Sequence, residues 1–427
     1  MRAGVGRNFS WSPRVQCVIE GVWRGLIVGK MDSIVVVGSS LAGLRTIEGL
    51  RRRGYEGRIV ALSAEEEWPY DRPPLSKQFL QGAWEEEKLT LRRQGFEELN
   101  VDWRLGVSAE RLDLADRSVS LSSGEALSYD GLVIATGAVP RHLPGTQGRP
   151  GMHVLRSLAD ARRLREAFAR GGRLAVIGAG FIGLEAAASA REMGVEVVVL
   201  EALEAPLLRG LGRTLGEWVG DRHREHGVDL RCGVQVEGFL GQDRVEGIAL
   251  ADGSSVQVDH ALVGIGVVPQ TEWLDGSGLD VEDGVLCDAT GATGAEGVVA
   301  VGDCARWFSP RHGRAIRHEH WTSAVEQADV AAARLLAGPE GTPPLDVVPY
   351  VWSDQFEMRL AMAGEPALGD TLHVGHGSLD EGRFLALQGL EGRLVGAVGM
   401  RRPRPLNAAR KLLAQGVSFE EAIQEIG

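Results

Sequence analysis

The sequence predicts an α/β protein of two nucleotide-binding lobes with a smaller α+β domain behind them, and three observations predict it. Two glycine-rich turns, Gly38-Ser39-Ser40-Leu41-Ala42-Gly43 and Gly178-Ala179-Gly180-Phe181-Ile182-Gly183, stand far apart in the chain. Each follows directly on a short apolar run, Ile34 to Val37 and Leu174 to Ile177. Beyond residue 344 the pattern changes to short alternating runs with tight turns, as an antiparallel sheet requires. Glycines at this spacing let the turn close, let backbone N–H groups approach a pyrophosphate, and bring the next helix against the sheet. The positive end of that helix then faces the phosphates. Two such Rossmann-like units imply two nucleotide cofactors.

Taken in order, Leu44 to Arg53 reads as a helix ending at Gly54, and Arg58 to Leu62 as the second strand. Glu65 follows at the distance where an acid binds ribose hydroxyls; with Glu66 and Glu67 beside it, a solvated acidic loop is the alternative. Leu132-Val133-Ile134-Ala135-Thr136-Gly137 is a buried strand ending in Thr-Gly. The second unit repeats the plan with a helix from Leu184 to Met193, then Val195 to Leu200 and Glu201. An acid closing that strand accepts a free ribose 2′-hydroxyl and repels a 2′-phosphate, so NADH is favoured over NADPH. Val263-Gly264-Ile265-Gly266 is the counterpart strand end, and Val298 to Val301 leads into Gly302-Asp303, a third place where a carboxylate can meet a sugar. Gly338 to Pro344 is a linker, because its Gly and Pro residues cannot continue a helix. After it, Phe356, Met358, Leu360 and Met362 alternate as a half-buried strand, and Phe384 to Leu390 pairs with Leu394 to Val398 across Glu391-Gly392. Ser418 with Glu421 forms a capping box for a last helix.

Composition excludes several functions. With 427 residues and 44% hydrophobic content the chain can bury two or three cores. A net charge of −12 disfavours nucleic acid as a partner, which needs basic residues over a broad face. Cys17, Cys232, Cys287 and Cys304 are scattered without a Cys-x-x-Cys pair, so no metal site is expected, and a reducing, cytoplasmic setting is. No apolar run is long enough to span a membrane; the one from Val22 to Val28 is interrupted by Arg24. Residues 1–30 carry Arg2, Arg7, Arg14, Arg24 and Lys30 against a single acid, and read as a disordered or mis-started leader, with a targeting peptide as the alternative.

Four further segments carry a resemblance: Pro69 to Lys77, Val263 to Gln270, Arg317-His318-Glu319-His320-Trp321, and Val348 to Gln355. With the two fingerprints, over about residues 31–410, the chain resembles the FAD-dependent pyridine nucleotide-disulfide oxidoreductase superfamily and, within it, the bacterial NADH–ferredoxin reductases that serve haem-thiolate and Rieske-type oxygenases. The resemblance implies an FAD domain at residues 31–140 and 267–343, an NAD domain at 141–266 and a C-terminal reductase domain at 345–427. It places FAD on Gly38, Ser40, Leu41, Ala42, Gly43, Glu65, Arg72, Ala109, Thr136, Gly137, Arg141 and Asp303, with Trp321 and Trp352 at the ring system. A core tryptophan is the alternative for Trp352. It places NADH on Gly178, Gly180, Phe181, Ile182, Gly183, Glu185, Glu201, Arg209 and Gly266, with Glu319 near the nicotinamide. Lys77 would stand at flavin N5 with Glu185 as its carboxylate partner, the pair given the catalytic role.

Departures from the superfamily matter equally. Disulfide reductases carry a Cys-x-x-x-x-Cys pair after the first βαβ unit, yet no cysteine lies between Cys17 and Cys232. Thiol–disulfide chemistry is excluded on that ground, and Cys304 reads as a packing residue. The resemblance thus implies hydride transfer from NADH to FAD and single-electron transfer to an iron-sulfur ferredoxin that feeds an oxygenase. An NADH oxidase or a flavin-bound redox sensor are the alternatives. Ferredoxin docking would fall on the basic cluster Arg401, Arg402, Arg404, Arg410 and Lys411, with Arg311, Arg314 and Arg317 near Trp321; a solvated arginine face is the bland reading.

Overall fold

The computed structural model describes residues 31–427, so the leader and Cys17 lie outside the described residues. Strand β1 (Ser33–Val37) is buried from Ile34 onward because it lies at the centre of its sheet. Parallel strands need a crossover, and α1 (Leu41–Arg52) supplies it, carrying the chain to β2 (Arg58–Ser63) with Val35 opposite Val60. Strand β3 (Asp102–Leu105) pairs outside β2, and β4 (Gly131–Ile134) lies on the other side of β1. A small antiparallel sheet built from Ala109–Asp113, Ser118–Leu121 and Ala126–Ser128 fills the stretch between β3 and β4.

The chain then leaves the first lobe through the short strand Ala138–Pro140. Helix α2 (Leu158–Arg170) starts on a capping box between Ser157 and Asp160. The second lobe follows with β5 (Arg173–Ile177), α3 (Phe181–Glu192), β6 (Glu196–Glu201), β7 (Asp229–Cys232) and β8 (His260–Val263). Its parallel sheet runs β7-β6-β5-β8, and Met152–His153 adds a short edge. Like the first lobe it carries a three-stranded antiparallel insert, Val236–Leu240, Gly247–Leu250 and Ser255–Gln257. Val267–Pro269 returns antiparallel to Ala138–Pro140, so two paired strands form the neck between the lobes.

Strand β9 (Val298–Ala300) then completes the first sheet in the order β9-β4-β1-β2-β3, all parallel. Helix α4 (Trp321–Ala337) packs on α1 through small residues: a methyl at Gly49 would already crowd Ala332. The C-terminal domain is a five-stranded antiparallel sheet, β10 (Tyr350–Gln355), β11 (Met358–Gly364), β12 (Thr371–Ser378), β13 (Arg383–Leu390) and β14 (Arg393–Met400), in the order β10-β11-β14-β13-β12. Helices α5 (Pro403–Gln415) and α6 (Phe419–Ile426) close it, the latter on the Ser418/Glu421 box.

Three local readings shift. Phe356 is not in a strand: at φ 51 it turns the chain between β10 and β11. The strand before the second neck crossing ends at Val263, and Gly264 to Gly266 form the turn beyond it. Both fingerprint helices begin three residues early, at Leu41 and Phe181, because the last fingerprint residues already form the first turn.

Candidate functional site

The two fingerprints set the geometry of the site. Gly38 (φ +96) and Gly178 (φ +98) hold a backbone conformation that a side chain strains. A Cβ at Gly38 would run into the backbone of Ala135, and one at Gly178 into that of Gly264. Gly43 and Gly183 are equally fixed, since a Cβ at either would strike the carbonyl of Gly38 or Gly178 and push the helix off the sheet. Gly180 faces open space, and Ser40 stands at the N-cap of α1 without using its hydroxyl as a cap. Those two middle positions are thus turned outward, where a phosphate needs room and a donor.

Between the lobes lies a cavity of about 470 Å³. Ser40, Leu41 and Ala42 enter it from the start of α1, and Gly180, Phe181 and Ile182 from the start of α3. Gly137, Gly266, Asp303, Glu319, Trp321 and Trp352 form much of the rest. The indoles of Trp321 and Trp352 meet edge to face at 6.1 Å, and Trp321 Nε1 donates to Asp71 Oδ1 at 2.9 Å. Burial raises the Asp71 carboxyl above its ordinary range, with the indole hydrogen bond opposing.

A buried ion pair stands in the cavity wall. Lys77 Nζ donates to Glu185 Oε1 at 2.8 Å, both side chains under one-tenth exposed. Lys77 comes from the loop after β2 and Glu185 from the second turn of α3, so each lobe contributes one member. The carboxylate also accepts from Ser76 Oγ at 2.5 Å and from Ser353 Oγ at 2.6 Å. Full satisfaction of this kind is what makes a buried charge pair tolerable.

Arg72 joins a second polar wall. Its Nη2 donates to Glu65 Oε1 at 2.6 Å and its Nη1 to the Arg156 carbonyl at 2.6 Å, while Tyr70 Oη donates to Glu65 Oε2 at 2.5 Å. Burial works against the Arg72 charge, but the Tyr70 and Glu65 oxygens outweigh it and raise its pKa; burial likewise pushes the Tyr70 phenol upward. Arg156 Nη2 in turn reaches Asp303 Oδ2 at 2.7 Å.

The most specific likenesses follow this geometry. Residues 32–332 match the model of the pyridine nucleotide-disulphide oxidoreductases, and residues 350–424 that of the reductase C-terminal domain. The chain belongs to the pyridine nucleotide-disulphide oxidoreductase family. It is 39% identical to rhodocoxin reductase of Rhodococcus erythropolis over 90% of this chain and 89% of that protein. It is 35% identical to the ferredoxin–NAD(+) reductase subunit of the benzene 1,2-dioxygenase system of Pseudomonas putida, over 91% and 94%. Among solved structures, the covalent putidaredoxin reductase–putidaredoxin complex superposes with a TM-score of 0.87 at 33% identity, over 92% of this chain and 99% of that one.

Within this oxidoreductase fold, Glu201, Arg209, Arg141, Thr136 and Ala109 lie around the cavity, whereas Gly137 and Glu319 line it. Glu201 Oε2 accepts from the Ala179 N–H at 2.6 Å and Oε1 from the Leu203 N–H at 2.8 Å, which fixes the carboxylate beside the second fingerprint. Arg209 is exposed on the short helix Leu208–Leu211, where Gly210 approaches the Phe181 ring. Arg141 is exposed at the neck, its N–H on the Gly266 carbonyl. Thr136 commits its hydroxyl to the Gln270 carbonyl at 2.6 Å, and Gly137 (φ +72) makes the turn beside it. Ala109 opens the first insert and is half-buried. Glu319 is exposed and pairs with Arg317 at 2.6 Å.

Sequence reading missed Arg156, Asp71, Ser76 and Ser353 as parts of the site. Three of the four sit inside segments already singled out, Pro69 to Lys77 and Val348 to Gln355; nothing in the local pattern marks Arg156. Cys304 is fully buried against the carbonyls of Val301 and Ile134, and burial raises its thiol, which is how a packing residue behaves. Among the described residues there is no cluster of His, Cys, Asp or Glu fit for a metal, and no helix long and apolar enough to cross a membrane. Of the second basic group, Arg311 reaches the end of α5 and donates to the Leu413 carbonyl at 2.9 Å, while Arg317 is paired with Asp283 and Glu319. Arg314, Arg404 and Lys411 are exposed, whereas Arg410 is half-buried on Tyr350 and the Val348 carbonyl.

Proposed function

We propose that this chain is an FAD-dependent reductase that takes a hydride from NADH and delivers electrons singly to an iron-sulfur ferredoxin serving a haem-thiolate or Rieske-type oxygenase. The carrying observation is the Lys77–Glu185 pair, buried in a cavity shared by two nucleotide lobes that hold no cysteine pair. The first cradle fits FAD: Gly38 and Gly43 bring the α1 amides forward, Ser40 offers a free hydroxyl, and Asp303 with Arg156 presents an oriented carboxylate. Bound FAD supplies the chemistry, accepting two electrons together and releasing them one at a time.

The protein's own contribution is binding, orientation and charge. The positive ends of α1 and α3 face the two pyrophosphates. Glu201 takes the adenosine ribose of NADH and repels a 2′-phosphate. Lys77 keeps a positive charge on the cavity wall where negative charge accumulates on reduction, and Glu185 holds that ammonium in place. Phe181, Trp321 and Trp352 supply the aromatic cavity wall that would hold the cofactor rings and shield them from water. On this reading residues 31–140 with 267–343 bind FAD, 141–266 bind NADH, and 345–427 complete the ring pocket; the unpaired cysteines fit a cytoplasmic setting.

Reconstitution tests the reading. Purified protein should show an FAD spectrum that NADH bleaches, and a ferredoxin should reoxidise it faster than air. Absence of bound FAD, or reoxidation by air at the ferredoxin rate, would overturn it.

A further inference from the structure

Behind the Lys77–Glu185 pair the structure continues a fully buried polar chain that the reaction as described above does not use. Glu185 Oε1 accepts from Ser353 Oγ at 2.6 Å; Ser353 Oγ accepts from Gln355 Nε2 at 3.0 Å; Gln355 Oε1 lies 2.8 Å from His223 Nε2. Ser353 and His223 are wholly buried, and Gln355 nearly so. The four residues come from three elements: Glu185 from α3, Ser353 and Gln355 from β10, and His223 from the helix Arg213–Glu225 of the second lobe.

Donor and acceptor counting fixes every proton. Gln355 uses its amide nitrogen on Ser353, so its oxygen faces His223, and His223 must carry its proton on Nε2 to donate there. Its Nδ1 has no partner among the described residues. Burial lowers the His223 pKa to about 4, so the ring stays neutral and keeps that tautomer at working pH. With Gln355 Nε2 donating into Ser353 Oγ, the serine hydroxyl hydrogen has one strong acceptor left in reach, the Glu185 carboxylate. The whole chain is thereby polarised one way, with the positive end of each dipole pointed at Glu185.

The same alignment bears on the cavity. A carboxylate facing one ammonium alone would cancel most of its field. Here two hydroxyls, from Ser76 and Ser353, share the negative charge, so more of the Lys77 field reaches the cavity. Ser353 and Gln355 also alternate with Trp352 and Asp354 on β10, so the strand that brings Trp352 to the cavity presents its opposite face to Glu185.

We propose that Ser353 is a positioning residue for the hydride-accepting site: oriented by Gln355 and His223, it sets the field of the Lys77–Glu185 pair and so raises the reduction potential of the bound flavin. The inference rests on FAD binding as proposed above. It assigns β10, part of the C-terminal domain, a role in tuning the cofactor as well as in shaping its pocket.

The test is the flavin midpoint potential of the purified holoprotein, titrated with a dye-coupled reductant so that neither NADH nor ferredoxin enters. Ser353→Ala should disfavour two-electron reduction by about tenfold, equivalent to a shift of about 30 mV to more negative potential. Ser353→Thr, which restores the hydroxyl, should return it to within a few millivolts of the parent, about a tenth of that shift. Gln355→Met should shift it in the Ala direction, because Ser353 then loses the donor that orients it. A parent potential in both Ser353→Ala and Gln355→Met overturns the inference, as does a Thr variant that keeps its flavin yet behaves like Ala. Should Ser353→Ala be recovered without flavin, the Thr and Met variants decide by the same criteria. A parent protein that binds no FAD would instead sink the proposed function, so the two failures are distinct.

Discussion

Arg156 Nη2 donates to Asp303 Oδ2 at 2.7 Å, across 147 positions of the chain. Its backbone carbonyl simultaneously takes Arg72, so one residue ties the Glu65–Arg72 wall to the carboxylate at the end of β9. Without the guanidinium, Asp303 loses a charge-assisted bond of the class that contributes about 1.5–3 kcal/mol. Arg156→Ala should therefore release FAD at least about tenfold more readily. Flavin fluorescence after dilution measures it, and unchanged retention would remove Arg156 from the site.

Lys77→Met should keep FAD but slow its reduction by NADH, because it takes away charge facing the cavity and leaves the phosphate cradle untouched. It also strands Glu185, and breaking a buried pair costs about 3–5 kcal/mol. Ser76 and Ser353 still donate to that carboxylate, which places the loss at the low end. Rapid mixing at the oxidised flavin band reads the first effect and thermal unfolding the second. An unaltered reduction rate would move Lys77 away from the reacting ring.

On the proposed function, Glu201 should decide cofactor choice. Its carboxylate is fixed by two backbone N–H groups, so it cannot swing aside to admit a 2′-phosphate. NADH should exceed NADPH in kcat/KM by more than about tenfold, roughly 1.4 kcal/mol. Glu201→Ala should narrow that ratio and also lower the melting temperature, since the Ala179 and Leu203 amides lose their acceptor. Equal efficiencies in the parent protein would refute the assignment.

Docking of an acidic ferredoxin on a chain of net charge −12 needs a local basic surface. The side chain of Arg402 is engaged on the His376 carbonyl, whereas Arg404 and Lys411 stand exposed on α5. Reversing charge at Arg404 and Lys411 should raise KM for ferredoxin and flatten its salt dependence, with NADH–ferricyanide activity intact. Equal loss of both activities would mean a damaged flavin site, and loss of neither would place docking elsewhere.

Acid should destabilise the protein in a defined window. Burial lowers His153, His223 and His318 from an ordinary 6.5 to about 4, helped at His153 by His260 and at His318 by His320. Well above pH 6.5 all three are neutral whether folded or not. As pH falls, the unfolded chain binds protons first, so stability declines between about 6.5 and 4 and levels off below. Melting temperature against pH should show this slope, and His153→Phe should flatten part of it; a flat profile across the window would count against burial as the cause.

What was legible in the sequence was what is local. A glycine that must turn at positive φ, a capping box at Ser418, and a hairpin across Glu391-Gly392 each depend on a few neighbouring residues. Even the Lys77–Glu185 pair could be anticipated, because family resemblance supplied the partner that distance along the chain conceals. Arg156 could not, since its two partners arrive from segments far before and far after it. Phe356 failed for a different reason: alternation continued one residue pair past the strand, into a turn that Phe356 enters at φ 51 to stack on His226 at 4.0 Å. Periodicity reports which side a residue faces, and a turn residue that packs can imitate a strand residue.

The paired neck strands Ala138–Pro140 and Val267–Pro269 make the second lobe a detour out of the first, and the detour orders events on the ribosome. A nascent chain that has emerged only as far as the second lobe owns four strands of the first sheet, with the β4 edge bare. It lacks β9, Asp303 and the whole of α4. The contiguous second lobe can close as soon as it is synthesised, while the lobe encoded first is finished only after it, and its cofactor crevice with it.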